Sequence, residues 1–443
     1  MAKDEPSCPR CISDRESAVR CWHLIGVTLV SVNSSIQTSG IRPSELLAIR
    51  PFRLLWINSF LFILVQSTQR FAFVWLALEL GAKSDISGLI LFVMGIPVLL
   101  ISLPIGVMSD HMNRRTLLMV SQLGALVITT VVAVMVTAQQ MTVNRAIIGS
   151  FIAGIFIAIG SPVRSAIVPT VVPQDKLVGA IAVNTIGSNL GLMIGPATAG
   201  PAIAIWGIEG AFWIQALLNL FGFFALINLK LPATLNTQRR RLREEIFGGL
   251  TFIGGHAEVR SFYVLLSGSI LFMMAPWIVL GPQLAKEQVG ATGSQTTYMF
   301  AMLGLGQFVT SIGILRYNHK MVQKGMWFIG GLCWGSLVQI VLGQSSSLLM
   351  MSVLLFAWGV GGGFYMNLSQ TLIQNNTPPQ VMGRVMAVHS LIMSGLAPIG
   401  ALIVGVIARR VDSAPMTFSV TGLLMLVTAV YFLVVKKNLR AMS

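Results

Sequence analysis

Charge is scarce in this chain. Only 10% of its 443 residues are Asp, Glu, Lys or Arg, against roughly 25% in an ordinary soluble domain. Carboxylates are the scarcer sign, 15 against 30 basic side chains, and none lies near the centre of a long apolar stretch. That excludes a paired-acid catalytic centre at depth and removes the buried carboxylate on which a cationic ligand would bind. The four cysteines do not make a disulfide framework. No Gly-x4-Gly-Lys-Ser/Thr phosphate loop occurs, and no polar stretch is long enough for a catalytic domain.

What is present is apolar. Hydrophobic residues make up 54% of the chain and mean hydropathy is +0.78, so the protein is polytopic in a membrane. About twelve stretches, from Leu54–Leu78 to Met416–Val435, each reach the roughly 20 residues that cross a bilayer as a helix. The net charge of +15 does not indicate nucleic acid, because the basic residues lie between apolar spans instead of on one accessible face. They cluster in alternate loops: Arg50 and Arg53, Arg114 and Arg115, Arg239 to Arg243, Lys320 and Lys324, and Lys436 to Arg440. By the positive-inside rule these loops and both termini are expected to be cytoplasmic, with Arg409 and Arg410 an awkward exception.

Residues 1–50 read as an extension, disordered or interfacial, or as the product of an early start codon. Its apolar run His23 to Val32 is too short to span, and a cleaved leader would invert every loop against the basic-residue count. Cys8-x-x-Cys11 with Cys21-x-His23 supplies zinc-type ligands but no second knuckle, so neither a metal site nor any cofactor is expected.

A shift of about 205 positions pairs Pro173 with Pro378, Ala182-Val183 with Ala387-Val388, Gly195 with Gly400 and Gly200 with Gly405. The repeat divides the chain into a six-helix half at 51–229, a basic linker at 230–260 and a second six-helix half at 261–443. Parallel repeats of this kind place a ligand site between halves near the bilayer midplane.

Between the second and third spans stands Gly106-Val-Met-Ser-Asp110-His-Met-Asn113-Arg114-Arg115. It resembles the loop of the major facilitator superfamily written G-x-L-x-D-R-x-G-R-R; Gly106, Asp110, Arg114 and Arg115 agree, whereas Met108, His111 and Asn113 depart. Asn113 replaces Gly mildly because Asn tolerates the left-handed conformation; His111 removes one fixed positive charge. Gly191-x3-Gly195-Pro196-x3-Gly200 in the fifth span resembles the G-x-x-x-G-P-x-x-G-G motif of facilitator exporters. Pro51-Phe-Arg53-Leu-Leu-Trp56, Ser161-Pro-Val-Arg164 through Pro169, and Ile246-Phe-Gly248-Gly-Leu-Thr-Phe-Ile are similar to the enterobactin-exporter and macrolide-efflux branch. The likeness runs from Pro51 to the C-terminus. It implies an all-α fold of twelve transmembrane helices in two six-helix halves, alternating access, export over uptake and proton antiport. It also implies that Gly106, Asp110, Arg114 and Arg115 latch the halves together, and that Gly191, Gly195, Pro196 and Gly200 let the fifth span pack closely and bend. The bland alternative for the loop is a basic turn that fixes topology.

Arg70 stands deep in the first span, where an Arg costs roughly 2.5 to 3.5 kcal/mol on insertion scales and tends to face a cavity or a partner. Gln66 and Phe73 lie about one turn away and are expected to share its face; the alternative is an Arg bonded to helix carbonyls or snorkelling outward. Arg164, in the inner half of the fourth span, is expected to pair with Asp110 or the neighbouring loop as part of the gate. Tyr365, Asn367 and Gln370 are further candidates to line the path, with Asn184 and Gln307 beside them. His389 could titrate near neutrality, though one His is more often a packing residue.

Buried positive charge without buried carboxylate points to an anionic or neutral amphiphile, with siderophores of the catecholate type or bulky lipophilic antibiotics as candidate classes. No central proton carrier is evident; Glu79, Asp110 and His389 are the available titratable groups. The expectation is therefore a monomeric, non-enzymatic secondary transporter in a bacterial plasma membrane, whose partners are a small molecule, the lipid bilayer and a coupling proton. An importer of the same fold and a non-transporting membrane sensor are the alternatives.

Overall fold

A backbone crossing lipid finds no water to bond, so its amides are satisfied within the segment and the apolar stretches form helices. The computed structural model describes residues 43–173, 176–229, 242–317, 321, 323–378 and 381–440. A short helix α1 (Pro43–Leu47) precedes α2 (Arg50–Glu79), α3 (Ser84–His111), α4 (Arg114–Thr137), α5 (Val143–Val171), α6 (Leu177–Trp206) and α7 (Ile208–Ile227). Then follow α8 (Leu242–Gly255), α9 (Ala257–Ser269), a π-helical turn at Ile270–Met274, α10 (Ala275–Val289) and α11 (Gly293–Tyr317). The chain ends with α12 (Lys324–Leu342), α13 (Leu348–Asn375), α14 (Met382–Val411), α15 (Ala414–Val435) and α16 (Lys437–Arg440). Among the described residues eleven helical stretches are long and apolar enough to cross a membrane, α9 through α10 counting as one. α6, 30 residues long, stands between two of them. Cys8, Cys11, Cys21, His23 and Arg239 to Arg241 lie outside the described residues.

Local chemistry sets the helix ends. Thr142, Ser347 and Ser413 each accept a backbone N–H of the following first turn, which satisfies one orphan donor apiece. Gly207 alone joins α6 to α7 at φ 74°, a conformation open to glycine and strained for other residues. The stretch expected to be a plain linker contains α8, which packs on α14: a Cβ at Gly249 would lie 2.5 Å from the Arg384 carbonyl oxygen. Its Phe252 and Ile253 join the apolar core of the C-terminal helices.

The long helices form an N-terminal group, α2–α7, and a C-terminal group, α9–α15. α3 lies along α14 and α6 along α11, while α10 touches α2 and α3. The repeated glycines explain this register. Gly195 on α6 packs against Leu64 and Ser67 of α2, and Gly400 on α14 packs against Leu271 and Ala275 around the π-turn; each meets the first long helix of its own group. Gly200 then meets Thr297 on α11, and Gly405 meets Ser84 and Gly88 on α3; each meets the second helix of the other group. The same spacing thus serves the same two contacts twice, because small residues let helices approach closely without a hydrophobic drive.

Bundle end A carries the α2–α3 turn at residues 80–83, and end B carries the α3–α4 turn at residues 112–113. One apolar cluster joins the groups at end A, where Val74 and Leu91 pack with Trp277, Leu280, Leu284 and Val404.

Candidate functional site

Pro276 opens the site. Having no N–H, it cannot bond the Phe272 carbonyl one turn back, and the helix passes this point in a π-turn. Gln339 on α12 donates its Nε2 to the Phe272 oxygen at 2.9 Å and so supplies the missing partner. The turn puts Met273 and Met274 on the wall of a cavity of about 220 Å³ between the two groups. Ser67, Arg70 and Phe71 of α2 and Leu192 and Pro196 of α6 form the N-terminal side of this cavity. The C-terminal side is aromatic and thioether-rich, with Trp277, Phe300, Trp358, Tyr365 and Met366, and Gln307 is its amide.

Arg70 is half-buried on this wall and has no hydrogen-bond or ion-pair partner among the described residues. Ser67 is committed, donating to the carbonyls of Leu64 and Gly191 at 3.1 Å each. Tyr365 points its hydroxyl at the Met393 sulfur, 3.6 Å away. Among the described residues Arg70 is the one charged side chain on a mainly apolar wall, an arrangement suited to an amphiphile with an anionic or strongly dipolar end.

Of the expected cavity residues, Arg70 and Tyr365 lie on this wall. Gln66 and Phe73 do not: Gln66 borders a crevice of about 10 Å³ inside the N-terminal group, and Phe73 is 1% exposed and stacks edge-on against Phe212 at 5.3 Å. The reason is helical phase. The cavity arc of α2 runs through Ser67, Arg70 and Phe71, so Arg70 is at its edge, and Gln66 and Phe73 turn roughly 40 to 60° to the other side. Asn367 is spent on packing, donating to Ser311 at 2.9 Å and to the Gly363 carbonyl at 2.7 Å. Gln370, one turn further on, is half-buried and off the cavity wall. Met273, Met274, Trp277, Phe300 and Trp358 were not singled out from the sequence, because apolar side chains in an apolar span carry no signal of their own. Pro276 was the available clue.

Arg164 corrects a second expectation. It is 5% exposed and among the described residues it pairs with amides and no carboxylate: Nε donates to Asn58 Oδ1 at 2.9 Å and Nη2 to Gln122 Oε1 at 2.8 Å. The Phe62 ring lies 3.7 Å from the guanidinium carbon. Gln122 Oε1 also accepts from Asn58 Nδ2 at 3.1 Å, and Gln122 Nε2 donates to Asn219 Oδ1 at 2.9 Å. Arg164 is thus the charged centre of an amide network joining α2, α4, α5 and α7 inside the N-terminal group. Two charge-assisted hydrogen bonds, each about 1.5 to 3 kcal/mol, and a desolvated cation–π contact of about 2 kcal/mol offset the insertion cost.

In the α3–α4 loop, Gly106 and Asp110 fall in the last turns of α3, and nothing of the Asp110 side chain is described. Asn113 takes φ −63° and ψ 111°, extended instead of left-handed, because it caps α4 by accepting the Arg115 N–H at 3.0 Å. Arg114 donates to the Ala166 carbonyl at 3.0 Å, and Arg115 donates to the carbonyl of Ile227, the last residue of α7, at 2.7 Å. Cations at helix C-terminal carbonyls are favoured by the macrodipole. At end A, Arg409 faces Asp412 at 3.8 Å, a local counter-charge for the pair that stood against the basic-loop pattern.

Membrane-length helices packed in two groups around a central cavity define a multi-pass membrane transporter. The chain matches the family described as transmembrane secretion effector over residues 41–442 and belongs to it, within the major facilitator superfamily. It is 20% identical to a staphyloferrin A transporter of Staphylococcus aureus, the match covering 86% of this chain and 96% of that protein. It is 19% identical to macrolide efflux protein A of Streptococcus pyogenes, covering 81% of this chain and 90% of that protein. A crystal structure of a variant of the nucleoside transporter NupG superposes with a TM-score of 0.69 at 11% identity, covering 86% of this chain and 99% of that one, a likeness of fold alone.

Proposed function

We propose that this protein is an exporter that moves a small anionic or neutral amphiphile out of the cell by alternating access. The observation that carries this reading is Arg70, without a partner among the described residues, on an aromatic and thioether wall between the two helix groups. Membership of a secretion family and likeness to a protein named for macrolide efflux support the direction. In this reading α6 joins the eleven membrane-length stretches to make twelve spans, and residues 51–229 and 261–443 are two halves that rock about the cavity. The basic loops set end B and both termini in the cytoplasm. Asp110, with Arg114 and Arg115, closes the cytoplasmic side in the opposite state of the cycle, and a proton gradient drives a monomeric carrier.

The test uses the chain from Arg42 onward in an efflux-deficient bacterium, with retention of a mixed panel of siderophores, antibiotics and lipophilic dyes measured beside Arg70→Ala. Retention of one class should fall with the native chain and return to the vector level with Arg70→Ala at equal membrane expression. Unchanged retention across the panel in well-expressed protein would overturn export, and normal flux in the variant would remove Arg70 from the site.

A further inference from the structure

Where both partners are described, every side-chain hydrogen bond between the two groups lies at end A. Lys286 near the end of α10 donates its Nζ to the carbonyl of Leu78, in the last turn of α2, at 2.9 Å. The same ammonium lies 5.8 Å from the Trp75 ring, within the range of a cation–π contact. The Trp75 indole N–H in turn donates to Glu79 at 2.7 Å. Beside them Ser84, the first residue of α3, donates to Gln283 Oε1 at 2.6 Å, and Gln283 Nε2 donates to Glu287 at 2.8 Å. Ser84 and Gln283 are buried. Directly beneath, Phe71 of α2 meets Phe300 of α11 edge-on at 5.4 Å, and Phe300 packs on Trp277 at 4.7 Å.

The cavity residues Phe71, Trp277, Phe300 and Trp358 lie towards end A on their helices, and Ser67, Met273 and Gln307 lie deeper. The space is therefore roofed at end A, first by aromatic rings and then by the polar contacts above them.

We infer that Lys286, docked on the Leu78 carbonyl at the C-terminus of α2 and assisted by the Ser84–Gln283 bond, is the clasp of a gate at end A that parts to admit the opposite face of the cycle. This rests on the transporter reading above. The chemistry suits a reversible closure. The Leu78 oxygen also accepts the Gly81 N–H at 3.3 Å and offers Lys286 its second lone pair; a cation there gains from that acceptor and from the dipole, yet it is one flexible side chain that hydrates readily on release. The aromatic contact beneath is apolar and breaks without leaving a polar group unpaired. Among the described residues no carboxylate bonds Lys286 directly, so the clasp lacks a tight ion pair that would resist opening.

The experiment reads access to the cavity and needs no substrate. Cys8, Cys11, Cys21 and Cys333 are replaced by Ser, Ser67→Cys is introduced on the cavity wall, and a charged, membrane-impermeant methanethiosulfonate is applied to intact cells and to inverted vesicles. With Lys286 present, labelling should come from the end-B side. Lys286→Met should raise labelling from the end-A side about tenfold, the population change expected on losing one charge-assisted hydrogen bond, and Lys286→Arg should stay near the native rate. Gln283→Leu, which removes the second contact, should move in the same direction and provides a reading if Lys286→Met does not reach the membrane. Unchanged labelling in both variants, or an equal rise from both sides, would overturn the clasp. The topology and the clasp fail separately: an inverted topology exchanges the roles of cells and vesicles without removing the Lys286 effect. Failure of export in the retention panel leaves the labelling outcome to stand on its own.

Discussion

The two helix groups solve one packing problem with different chemistry. In the N-terminal group a glutamine on the third long helix, Gln122, ties α2 to α7 and holds the buried charge of Arg164. In the C-terminal group a glutamine on the corresponding helix, Gln339, ties the π-turn at Phe272 to Phe418 and Thr421 of α15, with no charge involved. Both amides join the first and last long helices of their group. The difference is what hangs on them: Gln339 repairs a carbonyl that proline left unpaired, whereas Gln122 is the acceptor that lets a cation lie buried without a carboxylate. A neutral staple tolerates loss better than one that balances a charge, because a stranded buried charge loses more than a stranded carbonyl.

The largest expected effect tests that statement directly. Gln122→Leu takes the acceptor from Arg164 Nη2 and leaves Asn58 and Asn219 short of partners, and should destabilise the folded protein by about 3 kcal/mol or more, the loss of a charge-assisted hydrogen bond together with neutral ones in a buried network. Gln339→Leu strands the Phe272 oxygen and should cost about 1 to 3 kcal/mol. Thermal unfolding of the purified protein in detergent gives the order, and adding Arg164→Met to Gln122→Leu should recover part of the loss. Equal losses in the two glutamine variants, or no recovery in the double variant, would mean that Arg164 is balanced by something other than this network.

The repeated glycines sharpen the comparison at the seam between the groups. A Cβ on Gly405 would lie 2.6 Å from the Ser84 carbonyl oxygen and 3.1 Å from the Gly88 Cα, both backbone of α3. A Cβ on Gly200 would meet first the Thr297 hydroxyl at 2.5 Å and then the Tyr298 ring at 3.4 Å. Side chains give way and backbone does not. Gly405→Ala should therefore cost about 1 to 3 kcal/mol by overpacking, and Gly200→Ala measurably less, read as the shift of the unfolding midpoint of each variant. The reverse order would show that α3 and α14 separate more easily than α6 and α11.

Much of this was written in the sequence. Apolar runs of membrane length and the basic loops between them located the helices, the first run at Leu54–Leu78 lying within α2 (Arg50–Glu79) and the last at Met416–Val435 within α15 (Ala414–Val435). The spacing Gly195/Gly400 and Gly200/Gly405 marked a twofold pattern whose contacts the structure supplies. Arg70 stood out because a cation in an apolar helix is costly wherever it points. The phase of α2 was not legible: with hydrophobic residues on every face, a span carries no amphipathic stripe to say whether Gln66 or Ser67 shares the arc of Arg70. Arg164 misled for a related reason. A buried Arg suggests a carboxylate, and the amides that hold it come from helices 42 and 106 residues away along the chain, a pairing that no local pattern encodes.

The smallest effect concerns how the third helix of each group begins. Asn113 caps α4 through its side chain, and Gln323, at the start of α12, makes no such bond. Its longer side chain does not reproduce the short Asx-type return to the first turn that makes Asn a good cap. Asn113→Ala should cost about 1 kcal/mol, seen as roughly fivefold faster hydrogen exchange in the first turn of α4. Gln323→Ala should leave exchange at the start of α12 within a factor of about two, as for an ordinary surface change. The loop at Asn113 is also held by Arg114 on the Ala166 carbonyl and Arg115 on the Ile227 carbonyl. If exchange in α4 does not change in Asn113→Ala, those two arginines, and not the cap, set the geometry of the turn, and the contrast between the two groups reduces to the charge that Arg164 brings to one of them.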